Sequence, residues 1–152
     1  DEFKKAKSIL FYVSYDGEVF THDAIKEAFI DKKVVVPISN KEDYLLILSK
    51  LNSFEDLGQG LYGILEPKKE KIKETSINEI DLIIVPGLGF DLKGNRIGHG
   101  KGFYDRLLKN TNIPIIALAY EFQIIEKIPV DEHDKSVDII ITEKRIIYCK
   151  DQ

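Results

Sequence analysis

Glycine recurs at alternate positions near the middle of the sequence, at Gly98, Gly100 and Gly102. Because glycine lacks a Cβ atom, such a backbone can take positive φ angles and approach a ligand closely. Successive N–H groups exposed in this way form a concave site for anions. Arg96 and Lys101 add positive charge to the same segment. The pattern predicts a loop that binds a polyphosphate.

The periodicity predicts a helix over residues 102–108, directly after the loop. Its positive dipole end would add to the attraction for phosphate. Asp105 lies in its first turn, and Mg²⁺ commonly combines one or two carboxylates with phosphate oxygens and water. A purely structural alternative is that the glycines build a tight turn and Asp105 stabilises the helix start. Interleaved Arg, His and Lys side chains favour the ligand site.

Two common nucleotide motifs do not apply. The loop is not a Walker A element, because Gly102 follows Lys101 where that motif requires Ser or Thr. Residues 58–63 match the glycine pattern of a dinucleotide site, but Pro67 follows too closely for the long helix that such a site needs. We therefore predict neither P-loop chemistry nor a dinucleotide fold.

The composition is typical of a cytoplasmic protein that acts on small molecules. The chain of 152 residues is 43% hydrophobic, which suits one globular domain over residues 1–152. A net charge of -4 and a pI near 5.4 disfavour nucleic acid as a partner. No apolar run approaches the roughly 18 residues that cross a membrane. The single cysteine, Cys149, excludes an internal disulfide and is expected to be buried and inert.

Strand-like and helix-like segments alternate along the chain. Thr21 is a plausible N-cap for the first helix. Residues 54–67 are interpreted as an ordered loop. This alternation predicts a three-layer α/β domain, an open, mostly parallel, Rossmann-like sheet with helices on both faces. The predicted strands are 8–15, 34–37, 44–51, 81–86, 113–120, 137–142 and 145–149, and the predicted helices are 22–32, 102–108 and 121–127.

Three consecutive motifs, residues 85–91, 94–98 and 100–106, closely resemble the 5-formyltetrahydrofolate cyclo-ligase family, also called 5,10-methenyltetrahydrofolate synthetases. Further segments that resemble the family in the same order include Glu18 and its neighbours, residues 63–67, Gln123, residues 128–129, Asp134 and residues 138–143. The resemblance covers essentially the whole chain.

The resemblance implies a ligase of one-carbon metabolism with ATP as co-substrate and Mg²⁺ as metal. ATP would phosphorylate the formyl oxygen of 5-formyltetrahydrofolate, N10 would attack the activated carbon, and phosphate would leave to give 5,10-methenyltetrahydrofolate and ADP. Such a reaction depends on positioning and on spreading phosphoryl charge. The partners would be small molecules only, and the protein would be a monomer or a weak homodimer.

The resemblance also implies roles for individual residues. Lys101 and Arg96 would be catalytic, and Asp105 and Asp134 would bind the metal. The nucleotide would contact Arg96, Ile97, Gly98, His99, Gly100, Lys101, Gly102, Phe103 and Tyr104. The folate would contact Val13, Glu18, His99, Gly100, Lys101, Gly102 and Phe103.

The sequence departs from the family pattern in three places. Phe103 stands where the family commonly has tyrosine, His99 occupies a variable position, and the amino-terminal basic helix of the family has no counterpart. Residues 1–7 look like the tail of that helix.

Two other functions remain open from the sequence alone. A non-catalytic module on the same fold would bind folate or nucleotide without turnover. A sugar-phosphate isomerase or acyl-CoA transferase type of α/β domain would use an acid/base carboxylate and no ATP. Measurements of turnover and of ATP binding distinguish these two functions from the ligase and from each other.

Overall fold

The computed structural model describes residues 2–60, 63–98, 102–130 and 134–149. Its α-helices are α1 (Glu2–Lys5), α2 (His22–Ala28) and α3 (Phe103–Leu108). Single 3-10 turns occur at Phe54–Asp56, Lys69–Lys71, Ile77–Glu79 and Glu121–Gln123. The strands are β1 (Ser8–Leu10), β2 (Lys33–Asn40), β3 (Leu45–Leu51), β4 (Leu57–Gln59), β5 (Leu65–Pro67), β6 (Glu74–Thr75), β7 (Leu82–Val85), β8 (Gly89–Phe90), β9 (Arg96–Ile97), β10 (Ile115–Leu118), β11 (Ile139–Ile141) and β12 (Ile146–Tyr148).

Eight of these strands form one sheet in the order β12-β11-β10-β7-β1-β2-β3-β6. The five strands from β11 to β2 pair in parallel, while β12, β3 and β6 add antiparallel edges. Every residue of β7 is buried, as expected for a central parallel strand covered on both faces. The predicted mostly parallel α/β architecture is confirmed.

The two faces of the sheet carry separate apolar clusters. Because side chains alternate along a strand, Ile9 of β1 packs on one face and Leu10 on the other. Ile25 of α2 belongs to the first cluster and Leu108 of α3 to the second. The two crossover helices therefore cover opposite faces, which confirms the three-layer arrangement. Cys149 lies buried in the second cluster, as predicted.

Two predicted elements were wrong. Residues 121–127 contain only the 3-10 turn Glu121–Gln123 rather than a helix, because Ile124 bridges to Phe90 and the Ile125 N–H donates to the Phe90 carbonyl oxygen at 2.7 Å. Residues 54–67 are not only loop, because β4 and β5 pair as an antiparallel hairpin. Its turn requires Gly60, where an added Cβ would lie 2.6 Å from the Ile64 carbonyl oxygen.

The segment between β1 and α2 is held by the hydroxyl of Thr21, which is fully buried. This hydroxyl donates to the Tyr12 carbonyl oxygen at 2.8 Å and accepts the Ser14 N–H at 2.9 Å. Thr21 occupies the N-cap position as predicted, yet its side chain makes no capping bond to α2. It instead fixes the path of the chain just beyond β1. Among the described residues, no helix has both the length and the apolar character to cross a membrane.

We expect Thr21→Val to lower the free energy of unfolding by about 2–4 kcal/mol, because it leaves the buried Tyr12 carbonyl and the part-buried Ser14 N–H without their partner. Chemical denaturation with urea measures the change. Thr75→Val is the matched control, since the Thr75 hydroxyl donates to the exposed Glu79 and its loss should cost less than about 0.5 kcal/mol. Equal losses in the two variants would contradict the role assigned to Thr21.

Candidate functional site

A cavity of about 710 Å³ opens beyond the carboxyl ends of β1, β2 and β7. In open α/β sheets, ligands bind beyond the carboxyl ends of the strands. The binding point is where the connections from two neighbouring strands run to opposite sides of the sheet. Strand β1 is such a point, because the chain next forms β2 on one side of it and later β7 on the other. The predicted site residues that line this cavity are Val13, Glu18, Arg96, Ile97, Gly98, Gly102, Phe103, Tyr104, Asp105 and Asp134. His99, Gly100 and Lys101 lie outside the described residues.

The buried carboxylate of Asp91 organises the loop that precedes this site. It accepts hydrogen bonds from the Lys93 N–H, the Asn95 N–H, the Asn95 side-chain amide and the Ile128 N–H, all at 3.0–3.1 Å. Burial raises the pKa of Asp91, but these bonds outweigh that effect, so its pKa lies below the usual range. One ionised side chain thus joins the turn after β8 to the distant segment at Ile128.

The β8–β9 hairpin then delivers Arg96 to the cavity with its side chain only 4% exposed. Its Nη1 donates to the Pro86 carbonyl oxygen at 3.0 Å, and its Nη2 lies 3.4 Å from Asp105 Oδ1. The guanidinium carbon lies 5.5 Å from the centre of the Tyr104 ring. The buried Nε has no hydrogen-bond partner among the described residues. Such an orphaned donor is uncommon and typical of a functional site.

Helix α3 begins at Gly102, whose φ of 75° places it in the left-handed region. Glycine is favoured there by this conformation, which side chains with a Cβ rarely adopt. Phe103 is half-buried at the cavity wall and packs edge-on against Tyr44. Tyr104 lines the cavity and also packs against both core clusters. Burial raises the pKa of Tyr104, which keeps its hydroxyl neutral.

Glu18 follows β1 in the chain and also lines the cavity. Its Oε1 accepts the Tyr15 N–H at 2.8 Å, which orients the carboxylate. Partial burial raises its pKa, the hydrogen bond from Tyr15 opposes this, and the nearby Asp16 charge adds to the increase. Val13 is buried and supplies apolar wall beside it.

Asp105 and Asp134 line the same cavity, although they are 29 positions apart in sequence. Within the described part of the chain, no group of three or more His, Cys, Asp or Glu side chains could hold a metal. Two carboxylates without further protein ligands fit Mg²⁺, which completes its shell with phosphate oxygens and water.

Sequence reasoning missed several residues that line the cavity. Pro37 and Ser39 of β2, Leu46 of β3, and Ile64 and Glu66 of the β4–β5 hairpin all line it. Their individual types carry no chemical signature. Residues 63–67 did resemble the family, but only the folded hairpin brings them to the cavity.

We expect Asp91→Asn to lower the free energy of unfolding by about 2–4 kcal/mol, because an amide has one acceptor oxygen and turns an NH₂ towards two donors. Since the pKa of Asp91 is lowered on folding, the advantage of the wild type should persist at neutral pH. It should disappear as the pH falls through the folded-state pKa, below about pH 4. Urea denaturation at pH 7 and at pH 3 measures both effects.

Asp43→Asn is the matched control for this substitution. Asp43 also accepts a backbone N–H two residues ahead, from Leu45 at 3.0 Å, but it is exposed. Its loss should cost less than about 0.5 kcal/mol. A pH-independent difference between wild type and Asp91→Asn would show that the ionised carboxylate is not the stabilising group.

Comparisons with known proteins agree with the geometry. A model of the 5-formyltetrahydrofolate cyclo-ligase family matches residues 1–143. The 5-formyltetrahydrofolate cyclo-ligase of Haemophilus influenzae is 37% identical, over 92% of this chain and 78% of the relative. The enzyme of that name from Mus musculus is 34% identical, over 94% and 76%. The structure of Aquifex aeolicus 5,10-methenyltetrahydrofolate synthetase superposes with a TM-score of 0.84 at 37% identity, covering 99% of this chain and 76% of that one. The chain therefore belongs to the 5-formyltetrahydrofolate cyclo-ligase family.

Proposed function

We propose that this chain catalyses the ATP-dependent cyclisation of 5-formyltetrahydrofolate to 5,10-methenyltetrahydrofolate, with release of ADP and phosphate. The observation that carries this proposal is the shared cavity. Glu18 and Val13, expected for the folate, line the same space as Arg96 and Asp105, expected for the nucleotide and the metal. A bisubstrate reaction needs both ligands in one enclosure, where water is excluded and the reacting groups are held together.

The nucleotide occupies the loop end of the cavity. Arg96 is held by the Pro86 carbonyl oxygen and by Asp105, so its position costs no reorganisation when phosphoryl charge develops nearby. Its guanidinium stays charged at any physiological pH. Lys101 supplies a second, compact positive charge to the transferring phosphoryl group. The nucleotide-binding residues are Arg96, Ile97, Gly98, His99, Gly100, Lys101, Gly102, Phe103 and Tyr104.

The folate occupies the end that contains Glu18. The oriented Glu18 carboxylate accepts N–H groups of the pterin, and Val13 contacts the ring. The half-buried Phe103 lies between the two ends and contacts the flat part of the folate. The remaining folate-binding residues are His99, Gly100, Lys101 and Gly102.

Asp105 and Asp134 hold Mg²⁺ in this proposal. When bound, the ion neutralises phosphate charge and orients the γ-phosphoryl group. The residues of the chain prepare its place. Asp105 is 39% exposed on its side chain, while the buried Arg96 guanidinium lies on its other side. Asp105 is therefore both a metal carboxylate and an anchor for Arg96.

The same proposal includes the setting of the reaction. The protein acts in the cytoplasm on small molecules, without nucleic acid or membrane as partner, as a single domain that is a monomer or a weak homodimer. The acidic net charge of -4 supports the absence of a polyanionic partner. The single eight-stranded sheet supports one folding unit.

We expect Lys101→Ala to reduce kcat by roughly 100-fold or more, as for removal of one charge-stabilising group from a phosphoryl-transfer site. The measurement is absorbance of the methenyl product with Mg²⁺, ATP and 5-formyltetrahydrofolate. Lys109→Ala is the control, because Lys109 is exposed beyond the other end of α3. Tight folate binding without any turnover by the wild type would refute the enzymatic function and favour a binding module.

We expect Asp105→Asn to raise the Mg²⁺ concentration needed for half-maximal turnover roughly tenfold or more, because the amide oxygen is a weaker ligand for this ion. A Mg²⁺ titration at saturating ATP measures it. Asp31→Asn, which changes an exposed carboxylate, should leave the titration unchanged. A lower kcat with an unchanged Mg²⁺ requirement would restrict Asp105 to anchoring Arg96.

A further inference from the structure

Tyr44 has a backbone conformation that large side chains rarely adopt. Its φ is 58°, in the left-handed region, and Asp16 is the one other non-glycine residue with positive φ in the described part of the chain. Aspartate tolerates this region because its short side chain can bond to nearby backbone, whereas an aromatic residue there is a genuine outlier. Such strain persists only where surrounding contacts hold it, and it is concentrated at functional sites.

The turn between β2 and β3 imposes this conformation. Asn40, the last residue of β2, pairs with Leu45, the first residue of β3, so the connecting turn consists of residues 41–44. The Tyr44 N–H donates to the Asn40 carbonyl oxygen at 2.9 Å, and Asp43 Oδ1 accepts the Leu45 N–H at 3.0 Å. Glycine is the residue that a left-handed turn position favours. The turn itself therefore does not explain a tyrosine at this position.

The contacts of the Tyr44 ring lie on α3. The centre of this ring is 5.9 Å from that of Phe103, and the two ring planes meet at 74°, which is the edge-on arrangement. The guanidinium carbon of Arg106 lies 5.6 Å from the centre of the Tyr44 ring. Phe103 and Arg106 are three positions apart, so they share one face of the helix. One ring from the β2–β3 turn thus contacts the first turn of α3 at two points.

Phe103 connects these contacts to the cavity. Its side chain lines the cavity, whereas that of Tyr44 lies behind it and does not. Helix α3 has only 6 residues, too few to be stable without tertiary contacts, and Phe103 is its first residue. Helix ends also fray, so the helix alone does not fix the ring at this position. The edge-on contact with Tyr44 is a tertiary contact at the residue that needs one.

We infer that Tyr44 is a positioning residue for the substrate, which holds the Phe103 ring in the orientation that contacts the bound folate. This inference rests on the proposed folate-binding role of the cavity. The left-handed backbone at Tyr44 is the strain that results from bringing an aromatic ring out of the β2–β3 turn and onto α3. What the chain gains is an ordered aromatic wall before the substrate arrives.

The test compares Tyr44→Gly with Tyr44→Phe, with the Kd for 5-formyltetrahydrofolate measured by calorimetry in the absence of ATP. Glycine fits the left-handed backbone but removes the ring. We expect this Kd to rise roughly fivefold in Tyr44→Gly, because a Phe103 ring that is no longer held must be ordered by the ligand. Phenylalanine keeps the ring and both of its contacts, so the Kd of Tyr44→Phe should stay within about twofold of the wild type.

Thermal unfolding separates this role from a purely structural one. The Tm of Tyr44→Gly should lie within about 3 °C of the wild type, because relief of the backbone strain offsets the lost ring contacts. Lys41→Gly is the matched control, since it adds a glycine at an exposed position of the same turn and leaves the ring in place. Its folate Kd should equal that of the wild type. All Kd values are measured at a temperature where every variant is folded.

A double-mutant cycle shows whether Tyr44 acts through Phe103. In a Phe103→Leu background, Tyr44→Gly should change the folate Kd by less than about twofold, because the ring that Tyr44 holds is already gone. An equal effect of Tyr44→Gly with and without the Phe103 ring would overturn the inference, because Tyr44 would then act on the site as a whole.

The outcomes separate this inference from the proposed function. A wild type that forms the methenyl product, with an unchanged folate Kd in Tyr44→Gly, would leave the activity in place and overturn the role of Tyr44 alone. A weaker folate Kd in the control Lys41→Gly as well would also overturn it, because the flexibility of the turn would then be the cause. A wild type that neither binds nor converts 5-formyltetrahydrofolate would overturn both.

Discussion

The hydrogen bonding of Asp91 is the constraint on which the site depends. Four donors from two segments of chain converge on one buried carboxylate, which remains ionised because those bonds outweigh the cost of burial. These bonds close the turn between β8 and β9. The bond from the Ile128 N–H also ties this turn to the segment that follows Ile124, the residue that bridges to Phe90 of β8. This junction adds to the β8–β9 pairing in fixing the backbone that carries Arg96.

The charge distribution of the cavity follows from that path. Arg96 arrives almost fully buried and is held by a carbonyl oxygen and by Asp105. Glu18 and Glu66 also line the cavity, and each accepts one backbone N–H. The cavity thus combines one buried cation with several carboxylates, among them Asp105 beside Arg96. In the proposed reaction, both substrates bind in this one cavity, which would orient them before any chemistry occurs.

Much of the fold could be predicted from the sequence because it depends on local periodicity. The buried run of β7, the helices α2 and α3, and the closing β11–β12 pair all follow from apolar spacing within short segments. The prediction of a helix at residues 121–127 failed because Phe90, which is distant in sequence, pairs with Ile124 and Ile125. The β4–β5 hairpin was missed because glycine and proline hide its strand pattern.

The sequence by itself determined the family, and it predicted the phosphate loop and the carboxylate beside it, because these depend on ordered residue types within one contiguous stretch. Only the tertiary structure decided that Glu18, Arg96 and Asp134 line one cavity, that Asp91 ties the loop together, and that Glu66 lines the same cavity. The physical reason is that parallel strands bring residues far apart in the chain to a common edge. Hydrogen bonds between those segments, which no local pattern encodes, then set each side chain in place.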